Sequence, residues 1–226
     1  MKIQGAIFDM DGTLIDSLML WDVLWDCFGE KYRGESFRPS PEVDKAVRTM
    51  LLRDAMDLIH REYGLGESGE ELLNEANRRM EAFYEKEVEM KPGARAFLEY
   101  CHKSGVKMCI ASATERRLLD IAIRHCELEP YLDAVLSCSE IGKGKDQPDI
   151  YLRAAEMLGT EIGNTCVFED SLVAIRTADG IGMQTVAVYD RYNYGQAEMQ
   201  AIAAEYIAEG ETWEKLIRQN WLFNPA

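Results

Sequence analysis

Apolar residues run from Ile3 to Phe8, interrupted only by Gln4 and Gly5, and stop at Asp9, Met10 and Asp11. Such a run predicts a buried strand. The period then changes. Trp21, Leu24, Trp25 and Phe28 recur at spacings of three and four. They predict a helix from about Leu18 to Tyr32 with one strongly apolar face, and Asp16 or Ser17 is its natural N-cap. A break rich in Gly, Ser and Pro covers Arg33 to Pro41. Two further helices are expected, Pro41–Tyr63 and Gly69–Lys86, joined by the turn Gly64-Leu65-Gly66. Between Ser17 and Glu89 no segment has the pattern of a strand, so this stretch reads as an all-helical insert.

Beyond it the chain alternates. Pro92-Gly93 opens a helix to about Lys103, and Ser104-Gly105 closes it. Strands are expected at Val106–Ala111, Ala134–Ser137, Thr165–Phe168 and Gln184–Val188, and helices at Glu115–Cys126, Ile150–Leu158, Leu172–Ala178, Gln196–Ala204 and Thr212–Arg218. Strands that alternate with helices predict an α/β fold, a doubly wound parallel sheet of Rossmann-like type. The expected domains are a core of residues 1–16 and 90–226 and a helical cap of residues 17–89.

Composition narrows the partners. The 226 residues are 47% hydrophobic, enough for a sizeable core, and carry a net charge of −15. That charge repels nucleic acid and anionic membranes alike. An anionic substrate must then be attracted locally. No run of roughly 18 apolar residues occurs and the N-terminus enters a strand directly, so neither a membrane span nor a signal peptide is expected, and the location expected is cytoplasmic. The six cysteines are scattered without a Cys-x-x-Cys pair. They read as buried thiols of a reducing compartment. The three histidines, His60, His102 and His125, fall on expected helices and make a histidine-rich metal site improbable.

The chemistry gathers where strands end. In an open α/β sheet, ligands bind at the carboxyl ends of the strands. Asp9 and Asp11 stand there, two residues apart, with Gly12 beyond them to permit a tight turn. Paired acids at the mouth of a buried strand are costly unless something compensates them, and a divalent metal with a phosphate does so. A carboxylate in Asp9's place can attack phosphorus, and Asp11 is near enough to exchange a proton with a leaving group or water. An ordinary Asp-Gly turn is the plain alternative.

The segment Ile7-Phe8-Asp9-Met10-Asp11-Gly12-Thr13 resembles the first signature of the haloacid dehalogenase-like superfamily of phosphohydrolases, in the branch that carries a helical cap. The resemblance implies three later motifs in order. Ser112, closing Val106–Ala111, matches the second, with the role of holding a phosphoryl oxygen; Ser112 or Thr114 is otherwise an N-cap. The third is a lysine in Gly142-Lys143-Gly144-Lys145-Asp146-Gln147-Pro148-Asp149. Its spacing to Pro148-Asp149 matches Lys145 rather than Lys143, with Asp146 in place of the usual proline. The fourth is Phe168-Glu169-Asp170-Ser171. Paired acids suit Mg²⁺, a hard cation. The resemblance implies that it binds Asp9, the Asp11 backbone carbonyl and Asp170, with Glu169 direct or through water.

The cap chooses the substrate in such enzymes, and Met19, Trp21 and Arg53 are its candidates here. Trp21 and Arg53 equally suit helix packing and a surface charge. The expected activity is a Mg²⁺-dependent phosphatase hydrolysing a small phosphorylated metabolite through an aspartyl phosphate. A sugar phosphomutase is the alternative, although Trp21 stands where β-phosphoglucomutase-like relatives carry a histidine. Dehalogenases of the superfamily lack an acid at the place of Asp11. A phospho-accepting receiver module is about half as long and has no insert. Monomer and homodimer are both compatible with the sequence.

Overall fold

The computed structural model describes residues 3–48 and 50–223. In chain order the elements are β1 (Gly5–Phe8), α1 (Leu20–Arg33), α2 (Pro41–Val47), α3 (Leu52–Tyr63), α4 (Gly69–Lys86), α5 (Ala94–Lys103), β2 (Lys107–Ser112), α6 (Arg116–His125), β3 (Ala134–Ser137), α7 (Cys138–Ile141), α8 (Asp149–Leu158), β4 (Thr165–Glu169), α9 (Leu172–Gly180), β5 (Gln184–Val188), α10 (Gln196–Ile202), β6 (Glu205–Ile207) and α11 (Glu214–Arg218). They form two compact units, Leu18–Glu87 and the two segments that flank it.

In the flanking unit, the strands among the described residues pair in parallel in the order β3-β2-β1-β4-β5-β6. β1 lies inside the sheet because its four residues, Gly-Ala-Ile-Phe, have no polar side chain to keep in water. Successive side chains point to opposite faces. Ile7 packs with Cys109, Val167 and Ala154 in one core cluster. Phe8 turns the other way and stacks on Phe168 at 4.6 Å, within a group completed by Phe97 and Trp213. Phe97 comes from α5, and Trp213 is the residue immediately before α11. A glycine with φ +82°, Gly93, turns the chain into α5.

The helical unit is built on Leu24, Trp25, Phe28, Val47, Met56, Ile59 and Leu72. Ser68 caps α4 through the Glu71 amide. Glu75, buried on α4, accepts from Lys31 on α1 at 2.8 Å and from Arg79 at 3.2 Å, and also pairs with Arg78. Burial alone would raise the Glu75 carboxyl, but these cations outweigh it and hold it below the ordinary range.

Several expectations are corrected. The first helix begins at Leu20 without a side-chain cap, because Ser17 donates instead to Asp11 Oδ1 at 2.7 Å. The single helix expected over Pro41–Tyr63 is two, α2 and α3, separated where Leu51 is extended. Neither glycine nor proline lies between Val47 and Leu52 to announce that break. The helix expected to reach Ala204 stops at Ile202, and β6 follows as a short edge strand. Three residues are too few to show a period of two. α7, a single turn with a capping box from Ser137 and Glu140, was also beyond what periodicity resolves.

All six cysteines are free, five of them buried. His60 bonds the Leu65 carbonyl at 2.7 Å and His125 the Val88 carbonyl at 3.1 Å, so both have structural partners.

Candidate active site

Parallel strands bring their carboxyl ends to one edge of the sheet. Register sets the neighbours there. Phe8 pairs with Ile110 on one side and Phe168 on the other. Asp9 therefore follows β1 between the ends of β2 and β4, and its amide continues the ladder to the Phe168 carbonyl at 3.0 Å. Gly12, at φ +80°, lets the chain reverse at once, with its amide on the Ile15 carbonyl at 2.9 Å.

Lys145, from the loop between α7 and α8, enters this space. Its ammonium lies 2.5 Å from Asp9 Oδ1 and also contacts Glu169 Oε1. The other Glu169 oxygen accepts the amides of Asp170 at 2.9 Å and Ser171 at 3.1 Å. Asp170 accepts Thr13 Oγ1 at 2.8 Å on one oxygen and the Asn193 amide nitrogen on the other. Asp9, Glu169 and Asp170 are buried, and each offers a carboxylate oxygen within 4.8 Å of the others.

One ammonium does not balance three carboxylates. Burial, aided by Glu169 and opposed by Lys145, pushes Asp9 up to about 6. Burial and the charges of Glu169 and Asp9 push Asp170 well above the usual carboxylate range. Lys145 moves well above the usual lysine range, because Asp9 and Glu169 outweigh the burial that opposes its charge. The unbalanced negative charge and the all-oxygen donor set fit a hard divalent cation such as Mg²⁺.

Asp11 lies beside this cluster, and its carboxylate is not a member of it. Its oxygens accept Ser17 Oγ and Thr114 Oγ1, both at 2.7 Å. Ser112 is buried at the end of β2, where its hydroxyl accepts the Thr114 amide at 3.2 Å. Lys143 is half exposed and paired with Asp149 at 2.7 Å. Arg116 bonds Asp120 at 2.8 Å. In the helical unit, Trp21 is half-buried with its ring 5.5 Å from that of Trp25 and the Arg48 guanidinium 5.9 Å away. Arg53 is exposed in the first turn of α3.

Periodicity did not single out Thr13 as a partner of Asp170, Thr114 as a partner of Asp11, or Asn193. Thr13 was at least inside the first signature. Tyr151 belongs with them. Its hydroxyl is buried with no hydrogen-bond partner among the described residues, in the field of Glu169, Lys145 and Asp9.

The chain is similar to known proteins in sequence and in fold. The chain is 30% identical to hexitol phosphatase B of Escherichia coli K12 over 196 residues, 83% of this chain and 84% of the other. It is 24% identical to a phosphorylated carbohydrates phosphatase of Thermotoga maritima over 210 residues, 92% of this chain and 96% of the other. Its fold resembles that of CbbY from Rhodobacter sphaeroides, solved with phosphate, with TM-score 0.80 at 20% identity over 95% and 96% of the two chains. Residues 3–182 match the haloacid dehalogenase-like hydrolase family, a span that runs from β1 through the acids ending β4. By that match, and by the strand-end acids and lysine that the fold draws together, the chain belongs to the haloacid dehalogenase-like hydrolases.

Proposed function

We propose that this hydrolase is a Mg²⁺-dependent phosphatase of small phosphomonoesters, with a phosphorylated carbohydrate or polyol as the substrate class. The observation that carries the reading is the buried Asp9 carboxylate against the Lys145 ammonium, beside two further acids. The two relatives named as phosphatases of phosphorylated carbohydrates and hexitols support the substrate class.

Asp9 attacks phosphorus in line, and the bond from phosphorus to the substrate oxygen breaks. Asp11 delivers its proton to that oxygen, so the alcohol leaves neutral. Water then enters. Asp11 takes its proton, the water oxygen bonds to phosphorus, and the bond to Asp9 breaks to release inorganic phosphate. Thr114 and Ser17 hold the Asp11 carboxyl group by donating to its two oxygens. Lys145 and Ser112 bind phosphoryl oxygens, where charge spreads in the transition state. Asp9, Asp170 and the Asp11 carbonyl are the proposed Mg²⁺ ligands, and Glu169, whose Oε1 meets Lys145 and whose Oε2 accepts two amides, would assist directly or through water. Bound there, Mg²⁺ supplies positive charge to the phosphoryl oxygens.

The helical unit, taken as residues 17–89 in the proposed division, selects the substrate, with exposed Arg53 as the proposed contact. Packing against Trp25 accounts for Trp21. Nothing at that position supplies the ionisable group of a mutase histidine, so the phosphatase reading is preferred.

The test is phosphate release from a panel of sugar and polyol phosphates, with and without Mg²⁺. Release requires Mg²⁺ in the native protein and vanishes in Asp9→Asn. Substantial turnover by Asp9→Asn overturns the assignment.

A further inference from the structure

The loop from Tyr189 to Gly195, between β5 and α10, belongs to none of the four motifs, yet it reaches the site. Asn193 donates its side-chain amide to Asp170 Oδ2 while Thr13 donates to Oδ1. A carboxylate has about four lone-pair positions. One hydrogen bond on each oxygen fixes the plane of the group and leaves a lone pair on each for a cation. A carboxamide is neutral, so Asn193 orients Asp170 without adding to the local charge.

The loop is held firmly enough to do this. Asp190 is buried, and its Oδ2 pairs with Lys91 Nζ at 2.8 Å. Lys91 also donates to the Tyr189 carbonyl at 2.9 Å. Asp190 Oδ1 accepts the Tyr192 amide at 2.9 Å, and the Asp190 carbonyl accepts the amide of Asn193 at 3.1 Å and the side chain of Gln196 at 2.8 Å. The far end is wedged. Gly195 has φ +76°, and a Cβ there would stand 2.6 Å from Leu172 Cδ2. A surface loop without a task has no need of a buried ion pair and so close an approach to its neighbour.

We infer that Asn193 is a positioning residue for the metal ligand Asp170, and that the Asp190–Lys91 pair and Gly195 hold it in place. The inference rests on the metal site proposed above. Groups that orient a ligating carboxylate typically change metal affinity by about 10–100-fold when removed.

The experiment is calorimetric titration of the full chain with Mg²⁺, repeated with Mn²⁺ by electron paramagnetic resonance. Asn193→Ala should weaken binding about tenfold or more, and excess Mg²⁺ should restore kcat with KM for substrate little changed. Asp170→Asn separates the two claims. If Asp170→Asn binds Mg²⁺ as the native protein does, the metal-site reading itself is wrong. If Asp170→Asn loses binding and Asn193→Ala stays within about twofold of native, the inference about Asn193 alone is overturned. Gly195→Ala provides a charge-neutral check should Asn193→Ala fold poorly. By pushing the loop off Leu172 it should weaken Mg²⁺ in the same direction, and native affinity in that variant counts against the inference.

Discussion

Lys145 Nζ lies 2.5 Å from Asp9 Oδ1, two residues far apart in the chain that meet across the carboxyl edge of the sheet. Lys145 is the only cation that touches both Asp9 and Glu169 among the described residues. Lys145→Ala should therefore lower kcat/KM by about 10²–10³-fold, the usual cost of removing one donor from a charged transition state. It also leaves two buried carboxylates unpaired, so the metal-free variant should unfold at lower urea than the native protein. Steady-state kinetics and urea melts measure the two effects, and unchanged kinetics would show that Lys145 only balances charge.

The raised Asp9 predicts a pH dependence for metal binding. Its native pKa of about 6 exceeds the ordinary 3.8, so the folded protein holds this proton more tightly than the unfolded chain. The group's favourable contribution is thus present at low pH and is lost as pH rises through about 6. A cation that binds ionised Asp9 reverses the loss. The rise in melting temperature caused by Mg²⁺ should be small at about pH 5 and large at about pH 7.5. A rise of equal size at both values contradicts the exchange of proton for metal.

In the helical unit, Glu75 lies in the opposite regime. Its carboxyl is held below the ordinary 4.5. The stability it contributes is present above that value and is lost as pH falls through the depressed native pKa. Glu75→Gln should cost about 1.5–3 kcal/mol near neutral pH, the range for hydrogen bonds to charged groups. The gap between the native and variant urea curves should narrow as pH falls below the ordinary 4.5 and through the depressed native value. A constant gap across that range would mean that shape, not charge, sets the effect.

Gly93→Ala tests the turn into α5. The site requires φ +82°, and the new Cβ would stand 3.0 Å from the Glu214 amide nitrogen, which is backbone and cannot swing aside. A loss of about 1–3 kcal/mol is expected, with KM unchanged because no proposed substrate contact is involved. Thermal melts with parallel kinetics check both halves.

Arg53→Ala examines the helical unit's role in choosing the substrate. Loss of one charged hydrogen bond to a bound metabolite should raise KM about tenfold with kcat preserved. If KM for the best substrate does not move, Arg53 is a solvated surface charge.

Most of the sheet was legible because its strands are short apolar runs bounded by glycine and charge. The limits of Ala134–Ser137 and Gln184–Val188 follow from pattern alone. So does α4 over Gly69–Lys86. The break between α2 and α3 was not legible, because no glycine or proline marks it and the apolar positions on either side keep a helical spacing. β6 was hidden by its length.

The order of residues by itself determined which chemistry is present: acids at 9, 11, 169 and 170 and a hydroxyl at 112, each at or near the end of a strand, and a lysine at 145 in a glycine-bearing loop before a helix. A strand pattern carries that much, because apolar runs end where polar groups begin. Only the tertiary structure decided which of these touch. Parallel register sets Asp9 beside Phe168 and the acids that follow it, and a loop without its own periodicity delivers Lys145 between Asp9 and Glu169. It also recruited Thr13, Thr114 and Asn193, whose contacts arise from side chains meeting across loops. Local spacing encodes the direction of a side chain along its own element, whereas a hydrogen bond between two loops depends on where the sheet holds both of them.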